Sequence, residues 1–443
     1  MNGPQVEAVA AFMQAHVAPG ELVIAAVSGG PDSMAMLDLL LRAQVSCGYR
    51  LEVAHIHHHL RAASDDEWRF VEAYCAERHL RFHGRHVQVR EAAQGQSLEA
   101  AAHCLRHAAL REILQARGAQ WLVLAHQADD RAETVLMNIL RGTSVHGLAA
   151  MPAQDGCLLR PLLPYTKAEV EAYCAMRDIP YVVDESNADT TILRNRLRHE
   201  LLPQLTAYNP QIVRALNHLA ESSACVDDYL QAQATTLLAD AAVFRAQGWC
   251  LLRRAPLAAA HEAVAAELLR QCCQDFAHER GSLRFDMVKT ALERMHAGTG
   301  RADLGESLFC EVTRRYVYIG RQPTGAWREE NGIWRQDFLE AAVTVSPEMI
   351  VRGAQTGDVI ALKNLGRKRL KKIFQEAALP PCLRGLWPVV YDTKIKEIIW
   401  LPFLAQGREL MYYNSVTYLQ IALSCTIAQR TVRSAPTSEE KER

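Results

Sequence analysis

The chain has 443 residues, 49% of them hydrophobic and 22% charged. At about 150 residues per domain this is enough for two to four domains with sizeable cores, and the mix excludes collagen-like, coiled-coil and wholly disordered chains. Lys plus Arg number 49 against 50 Asp plus Glu, a net charge of −1, so no whole-chain positive field marks a nucleic-acid partner and any basic surface must be local. The 12 cysteines stand singly apart from Cys272-Cys273, with no C-x-x-C. That usage predicts reduced thiols in a cytoplasmic protein and lacks the spacing of a four-thiolate zinc or iron-sulfur site. An early Pro4 and Glu7 do not resemble a secretory signal, and no apolar run approaches the roughly 18 residues of a membrane span. No membrane association is expected.

From the start to residue 210, short β-like runs alternate with helical patterns, which predicts an α/β domain with a doubly wound parallel sheet. The first strand is Leu22 to Val27, followed by a Gly-containing turn and a helix carrying Met34, Met36, Leu37, Leu40 and Leu41. Leu51 to Ile56, Phe82 to Val89, Trp121 to Ala125 and Tyr181 to Val183 are the further strands, spaced widely enough for crossover helices. Residues 211–345 are Ala-rich and Leu-rich, as in Val213 to Leu216 and Ala263 to Leu269, and predict a small, mainly helical domain with a β-like stretch at Leu308 to Ile319. Residues 346–425 predict a basic α+β domain with strands at Val359 to Leu362, Val389 to Tyr391 and Ile398 to Leu401. Residues 426–443 are polar and read as a flexible tail.

The most informative residues are Ser28-Gly29-Gly30-Pro31-Asp32-Ser33, between an apolar strand and an apolar helix, where a parallel sheet presents its ligand crevice. Glycines let backbone amides turn toward an anion, and the helix that follows adds its positive end. No Lys follows the glycines, so the ammonium clamp of a Walker loop is missing. Asp32 beside a bound polyphosphate would repel it unless a divalent cation lay between, which makes Asp32 the candidate Mg²⁺ ligand. The plainer alternative is a strand-to-helix turn with Asp32 early in the helix.

A second cluster, His126 to Glu133, follows the strand at Trp121 to Ala125. Asp130 and Glu133 lie at i and i+3 on one helical face, and with Asp129 they could hold a metal or the ammonium of an amine substrate. Compensation of the helix dipole, with Asp129 as N-cap, is the alternative. His55, His57, His58 and His59 invite a metal reading, but closing ligands with recognisable spacing are missing, and a polar strand end lining the nucleotide cleft is the expectation. Ser97 to Gly118 predicts a helix with Arg106 and Arg111 facing a partner or solvent. Arg194, Arg196 and Arg198 could contact phosphate or pair with Asp184 and Glu185. Between residues 351 and 412 eleven Lys or Arg oppose five Asp or Glu. Five of them, Arg367, Lys368, Arg369, Lys371 and Lys372, form a run expected at the start of a helix, where they oppose its dipole and suggest an external anion such as RNA phosphate.

The loop resembles the SGGxDS signature of the PP-loop ATP pyrophosphatases. Ala125 to Thr134 with Leu140-Arg141-Gly142 and Gly147-Leu148 resembles the AHxxDDxxET and RG..GL blocks of tRNA(Ile)-lysidine synthetases. So do Arg160-Pro161-Leu162-Leu163, Asp184-Glu185-Ser186-Asn187 and Arg194 to Arg198, while Gly357-Asp358 and Arg369 to Phe374 are similar to that family's last domain. His58, Leu60 and Arg61 fit an HxxHxLR-like block, with bulky His59 where a small residue is commoner, and Ala102 to His107 keeps only the second Arg of an ARxxRY pattern, as Arg106. The resemblance spans most of residues 20 to 405. It implies ATP bound by Ser28 to Ser33 with Mg²⁺ at Asp32, free L-lysine and catalysis served by His126, Asp129, Asp130 and Glu133, and a CAU-anticodon tRNA(Ile) held by the arginines of residues 194–198 and the basic run. Asp130 and Glu133 are the lysine-side choices. A homodimer is an assembly that the sequence leaves open. Two rivals are a PP-loop tRNA thiolase, against which the missing C-x-x-C weighs, and a non-catalytic RNA-binding protein, against which the intact carboxylates weigh.

Overall fold

The computed structural model describes residues 3–59, 63–92, 98–182, 192–246, 248–276, 283–331, 333–336, 341–344, 348–362 and 366–401. The motif residues Leu60, Arg61 and Asp184 to Asn187, and the tail 426–443, lie outside them. Two compact units result, Met1–Asp228 and Tyr229–Arg443. Among the described residues no helix is long and apolar enough to cross a membrane.

The first unit contains α1 (Val6–His16), β1 (Leu22–Ala26), α2 (Pro31–Cys47), β2 (Arg50–His57), α3 (Ala63–Glu77), β3 (Arg81–His86), α4 (Val89–Ala92), α5 (Leu98–Arg117), β4 (Trp121–Val123), α6 (Ala128–Arg141), α7 (Val145–Leu148), β5 (Gln154–Asp155), β6 (Leu158–Leu159), α8 (Lys167–Met176), α9 (Leu193–Arg196), a π-helical turn Leu197–Leu201 and α10 (Leu202–Tyr208). The 30-residue α11 (Ile212–Ala241) crosses the boundary between the units. The sheet runs β3-β2-β1-β4-β6-β5 and is parallel except for β5. Every residue of β1 is buried because the pleat feeds two cores. Val23 and Ala25 join Leu37, Leu40 and Val53 on one face, while Leu22, Ile24 and Ala26 join Leu110 and Ile113 on the other. β1 and β4 are neighbours although β2 and β3 lie between them in sequence. The chain reverses direction across the sheet there, and both loops that leave the carboxyl ends of these strands open on the same crevice.

Four of the five expected strands form, with shifted ends, and Val89 begins α4 rather than ending β3. Tyr181 and Val182 are not a strand: the Val182 N–H donates to Gly29 O (2.9 Å), bracing the phosphate-type loop instead of extending the sheet. Gly84 on β3 admits the Trp68 indole, since a Cβ there would lie 1.8 Å from Trp68 Cη2. Gly84→Ala is therefore expected to destabilise the first unit by about 1–3 kcal/mol through overpacking, read as a lower urea midpoint with unchanged slope.

The second unit is richer in sheet than its composition suggests. β7 (Ala242–Ala246), β8 (Trp249–Arg253), β9 (Gly300–Gly305), β10 (Leu308–Val312) and β11 (Tyr316–Arg321) make an antiparallel sheet in the order β7-β8-β11-β10-β9, with α12 (Arg254–Ala259), α13 (Glu262–Phe276) and α14 (Phe285–Ala297) between β8 and β9. This sheet adds to the helices expected of the segment, which still make up more of it than the strands do. Cys250 and Leu252 enter one core, and Trp249 and Leu251 enter another. A strand buried on both faces shows no polar alternation to read. After β12 (Arg328–Glu330), β13 (Ile333–Gln336) and β14 (Ala341–Thr344) comes a sheet ordered β15-β18-β19-β16-β17. Its members are β15 (Met349–Gly353), β16 (Val359–Leu362), β17 (Gly366–Arg369), β18 (Pro388–Asp392) and β19 (Glu397–Trp400), with α15 (Leu370–Glu376) and α16 (Pro381–Arg384) between β17 and β18.

Candidate active site

The loop after β1 takes the form its residues require. Gly29 sits at φ 96°, Gly30 is the N-cap of α2 and Pro31 opens the helix, where its missing N–H costs nothing. The Ser28 and Gly29 N–H groups converge on one oxygen, Ser33 Oγ, at 3.2 and 3.1 Å, and that hydroxyl donates to Gly30 O at 2.9 Å. The amides thus point together at the mouth of α2, a donor set suited to a phosphate oxygen. Asp32 lies beside it with Oδ1 buried and without a hydrogen-bond partner among the described residues. Burial, reinforced by Asp130, pushes the Asp32 carboxyl up to about 7 against the opposing charges of Lys167 and Arg198.

The loop after β4 forms the other wall. Gln127, not Asp129, is the N-cap of α6: its Oε1 accepts the Asp129 N–H at 2.6 Å, and its own N–H donates to Asp130 Oδ2 at 3.0 Å. Asp129 Oδ2 accepts the Lys167 N–H at 2.8 Å, and burial raises the Asp129 pKa against that hydrogen bond. Burial and the nearby Arg106, Arg160 and Arg194 hold His126 down to about 3, against Asp130, so the ring is neutral. Arg160 Nε–H donates to His126 Nδ1 at 3.3 Å, which leaves the His126 proton on Nε2 as a donor.

Arg194 and Arg198 turn inward to these carboxylates. Arg194 Nε meets Glu133 Oε2 at 2.7 Å and Arg198 Nε meets Glu133 Oε1 at 2.6 Å, while both Nη2 atoms lie 3.2 Å from Asp130 Oδ1. Glu133 is 0% exposed, so it holds two guanidiniums rather than meeting an incoming amine, a correction to the expected role. Of the three arginines only Arg196 is exposed. The π-helical turn Leu197–Leu201 carries Arg198, and such wide turns recur where side chains must be aimed at a site. The helix bearing the acids is fixed from behind: Asn217 Nδ2 donates to Ala128 O at 2.8 Å, and buried Arg131 pairs with Glu221 at 2.7 Å.

Two further residues, Arg106 and Lys167, border the site. Arg106 is not a solvated helix residue: burial lowers its pKa, Asp130 opposes that shift, and no carboxylate lies within ion-pair distance among the described residues. Lys167 belongs to no motif that points to the site, although Thr166-x-x-Glu169 is a capping-box string that places Lys167 at the first position of α8. The basic run also differs from expectation. Arg367, Lys368 and Arg369 lie on edge strand β17, with only Lys371 and Lys372 on α15. Arg367 pairs with Glu397 and Lys368 with Glu376. Arg369, Lys371 and Lys372 are exposed and without ion-pair partners among the described residues.

Residues 4–205 match the PP-loop domain family and residues 349–408 the TilS substrate C-terminal domain family. The chain is 30% identical over 428 residues to tRNA(Ile)-lysidine synthase of Enterococcus faecalis, covering 88% of this chain and 92% of that one. It is 32% identical over 429 residues to tRNA(Ile)-lysidine synthase of Geobacter sulfurreducens, covering 86% and 88%. Among solved structures, a U34-tRNA thiolase from Methanococcus maripaludis superposes with TM-score 0.40 at 17% identity, covering 49% of this chain and 77% of that one. With the two signature loops at the β1–β4 crevice and full-length relatives at this identity, the chain belongs to the tRNA(Ile)-lysidine synthase family of PP-loop ATP-using enzymes.

Proposed function

We propose that the enzyme ligates free L-lysine to C2 of the wobble cytidine in the CAU anticodon of tRNA(Ile), in the cytoplasm, changing decoding from AUG to AUA. The observation that carries this reading is the meeting of a phosphate-type loop with a carboxylate-arginine pocket at one switch point of the sheet. In the first step the cytidine C2 oxygen attacks the α-phosphorus of ATP, the α,β-bridging P–O bond breaks and pyrophosphate leaves. In the second the lysine ε-nitrogen bonds to C2, the C2–O bond to AMP breaks and the nitrogen loses a proton.

The residues suit these demands. The Ser28 and Gly29 amides, the desolvated Arg106 guanidinium and the His126 Nε2–H are donors for polyphosphate oxygens. Asp32, with its unpartnered buried oxygen, offers the hard donor that Mg²⁺ takes, and the ion when bound neutralises charge on the departing pyrophosphate. Because Glu133 is wholly buried and holds both arginine Nε atoms at 2.6–2.7 Å, Asp129 and the partly exposed Asp130, whose arginine contacts are longer at 3.2 Å, are assigned to orient the lysine ammonium and accept its proton. In this reading residues 1–210 carry catalysis, while 211–345 and 346–425 hold tRNA.

Arg369, Lys371 and Lys372 are assigned to tRNA phosphates. Changing all three to Ala is expected to weaken tRNA binding about 10- to 100-fold and to flatten its log–log salt dependence by about 2, with KM for ATP unchanged. Filter binding across a salt series checks it. The reaction itself is tested by incubating the enzyme with labelled lysine, ATP, Mg²⁺ and unmodified CAU tRNA(Ile), then hydrolysing aminoacyl esters with base. ATP-dependent, base-stable label at the wobble cytidine is expected, and unlabelled RNA despite confirmed tRNA and ATP binding overturns the reading.

A further inference from the structure

At the carboxyl edge of the same sheet, β2 ends at His57 and β3 at His86, paired in register. The chain turns back after β2 so that His59 lies over both: ring centroids are 4.2 Å apart for His57–His59, 5.0 Å for His57–His86 and 4.8 Å for His59–His86. One nitrogen of each ring lies within 4.8 Å of the other two. We propose that His57, His59 and His86 form a binding site for a borderline divalent transition-metal cation, of which Zn²⁺ is the representative, with Asp65 orienting His57.

Four features of the cluster favour this over simple ring packing. His59 holds φ 51°, a left-handed conformation that costs an ordinary side chain free energy, at a position where glycine would be relaxed. His57 is 2% exposed, its Nδ1 accepts the His59 N–H at 3.2 Å, and its Nε2, without a hydrogen bond among the described residues, lies 3.0 Å from Asp65 Oδ1. A metal at His57 Nδ1 would displace the His59 N–H and leave the Nε2 proton beside the Asp65 carboxylate, the outer arrangement that metal-bound histidines favour. Trp68 sets the third ligand, stacking on His86 at 4.6 Å and 15°, and Gly84 makes room for that indole. Bonds of about 2.1 Å in tetrahedral geometry separate donors by about 3.4 Å. Because His59 and His86 are exposed, modest rotation of their rings closes the site, and the fourth position remains for water. His55 and His58 are not members. The cation would tie the chain leaving β2 to β3, and neither the ATP loop nor the carboxylate pocket contributes a ligand.

The test uses the untagged full-length chain, stripped with chelator, and titrates Zn²⁺ by calorimetry and Co²⁺ by visible absorption. One ion per chain at micromolar affinity or tighter is expected, with Co²⁺ d–d bands and no thiolate charge-transfer band. His59→Gly and His86→Gln should each weaken binding at least tenfold, and Zn²⁺ should raise the Tm of the parent but not of the variants. His59→Gly relieves the left-handed backbone, so its fold is expected to survive, as circular dichroism of the apo form will show. Absence of saturable binding, wild-type affinity in both variants, or thiolate bands in the Co²⁺ form each overturns the site.

Discussion

Asp32→Asn is expected to lower kcat for lysine transfer by about 10³-fold at saturating ATP and Mg²⁺ while making the ligand-free protein more stable above neutral pH. The two effects have one cause. Asp32 stands among loop amides and apolar helix residues with a buried oxygen that nothing among the described residues satisfies, which is why it is proposed as a cation ligand. Its folded pKa of about 7 lies above the 3.8 of an exposed aspartate. A raised carboxyl pKa means that the folded state binds the proton more tightly. The associated stability is full below pH 3.8 and is lost as pH rises through 7. Asn stays neutral throughout, so the difference in Tm between variant and parent should be near zero at pH 4 and grow to a plateau above pH 7. After allowance for solvent screening the plateau is about 1–2 kcal/mol, or roughly 2–8 °C at this domain size. Calorimetry across that pH range, paired with the lysine-labelling assay, decides it. A variant that turns over normally, or that is less stable than the parent at pH 8, contradicts the assignment of Asp32 as a functional carboxylate carried at a cost to the fold.

Glu133→Ala should behave in the opposite way and fail first as a protein. Its two oxygens take the Nε atoms of both Arg194 and Arg198, and no part of the side chain reaches solvent. Removing one partner of a buried pair leaves the other undercompensated, which costs about 3–5 kcal/mol, here with two guanidiniums left to share Asp130 alone. Urea unfolding of the variant is expected to show that loss. Asp130→Asn is the contrast, because Asp130 is partly exposed and shares the same arginines only at 3.2 Å. It should cost about 1 kcal/mol yet abolish most turnover. If Glu133→Ala were as stable as the parent and inactive only through a raised KM for lysine, Glu133 would be a substrate ligand after all.

Much of this was legible in the residues. The loop Ser28 to Ser33 and the string His126 to Glu133 each run from one strand end into the first turns of the next helix, so their chemistry is local. The alternation of apolar runs and helices around them implies a parallel sheet that must present such turns on one edge. The basic character of the last domain is likewise a property of composition. Other features involve residues far apart in sequence, and composition cannot see them. Glu133 meets Arg194 and Arg198 across 61 and 65 positions, through a π-helical turn that has no simple sequence signature. The arginines expected to face RNA turned inward because a wholly buried carboxylate cannot remain unpaired.

Of the middle sheet only the stretch Leu308 to Ile319 was legible, and β8, covered on both faces, loses the period that marks a strand. The histidines divide in the same way. Their run at the end of β2 was visible at once, but only the register of β2 with β3 brings His86 to His57, and only the turn at His59 excludes His58. The sequence by itself determined which reactive groups the chain carries and which strand ends deliver them, since backbone propensity and side-chain chemistry act over a few residues. Tertiary structure decided which of those groups are paired, buried or left with unsatisfied atoms, because burial and Coulomb interaction depend on distance in space.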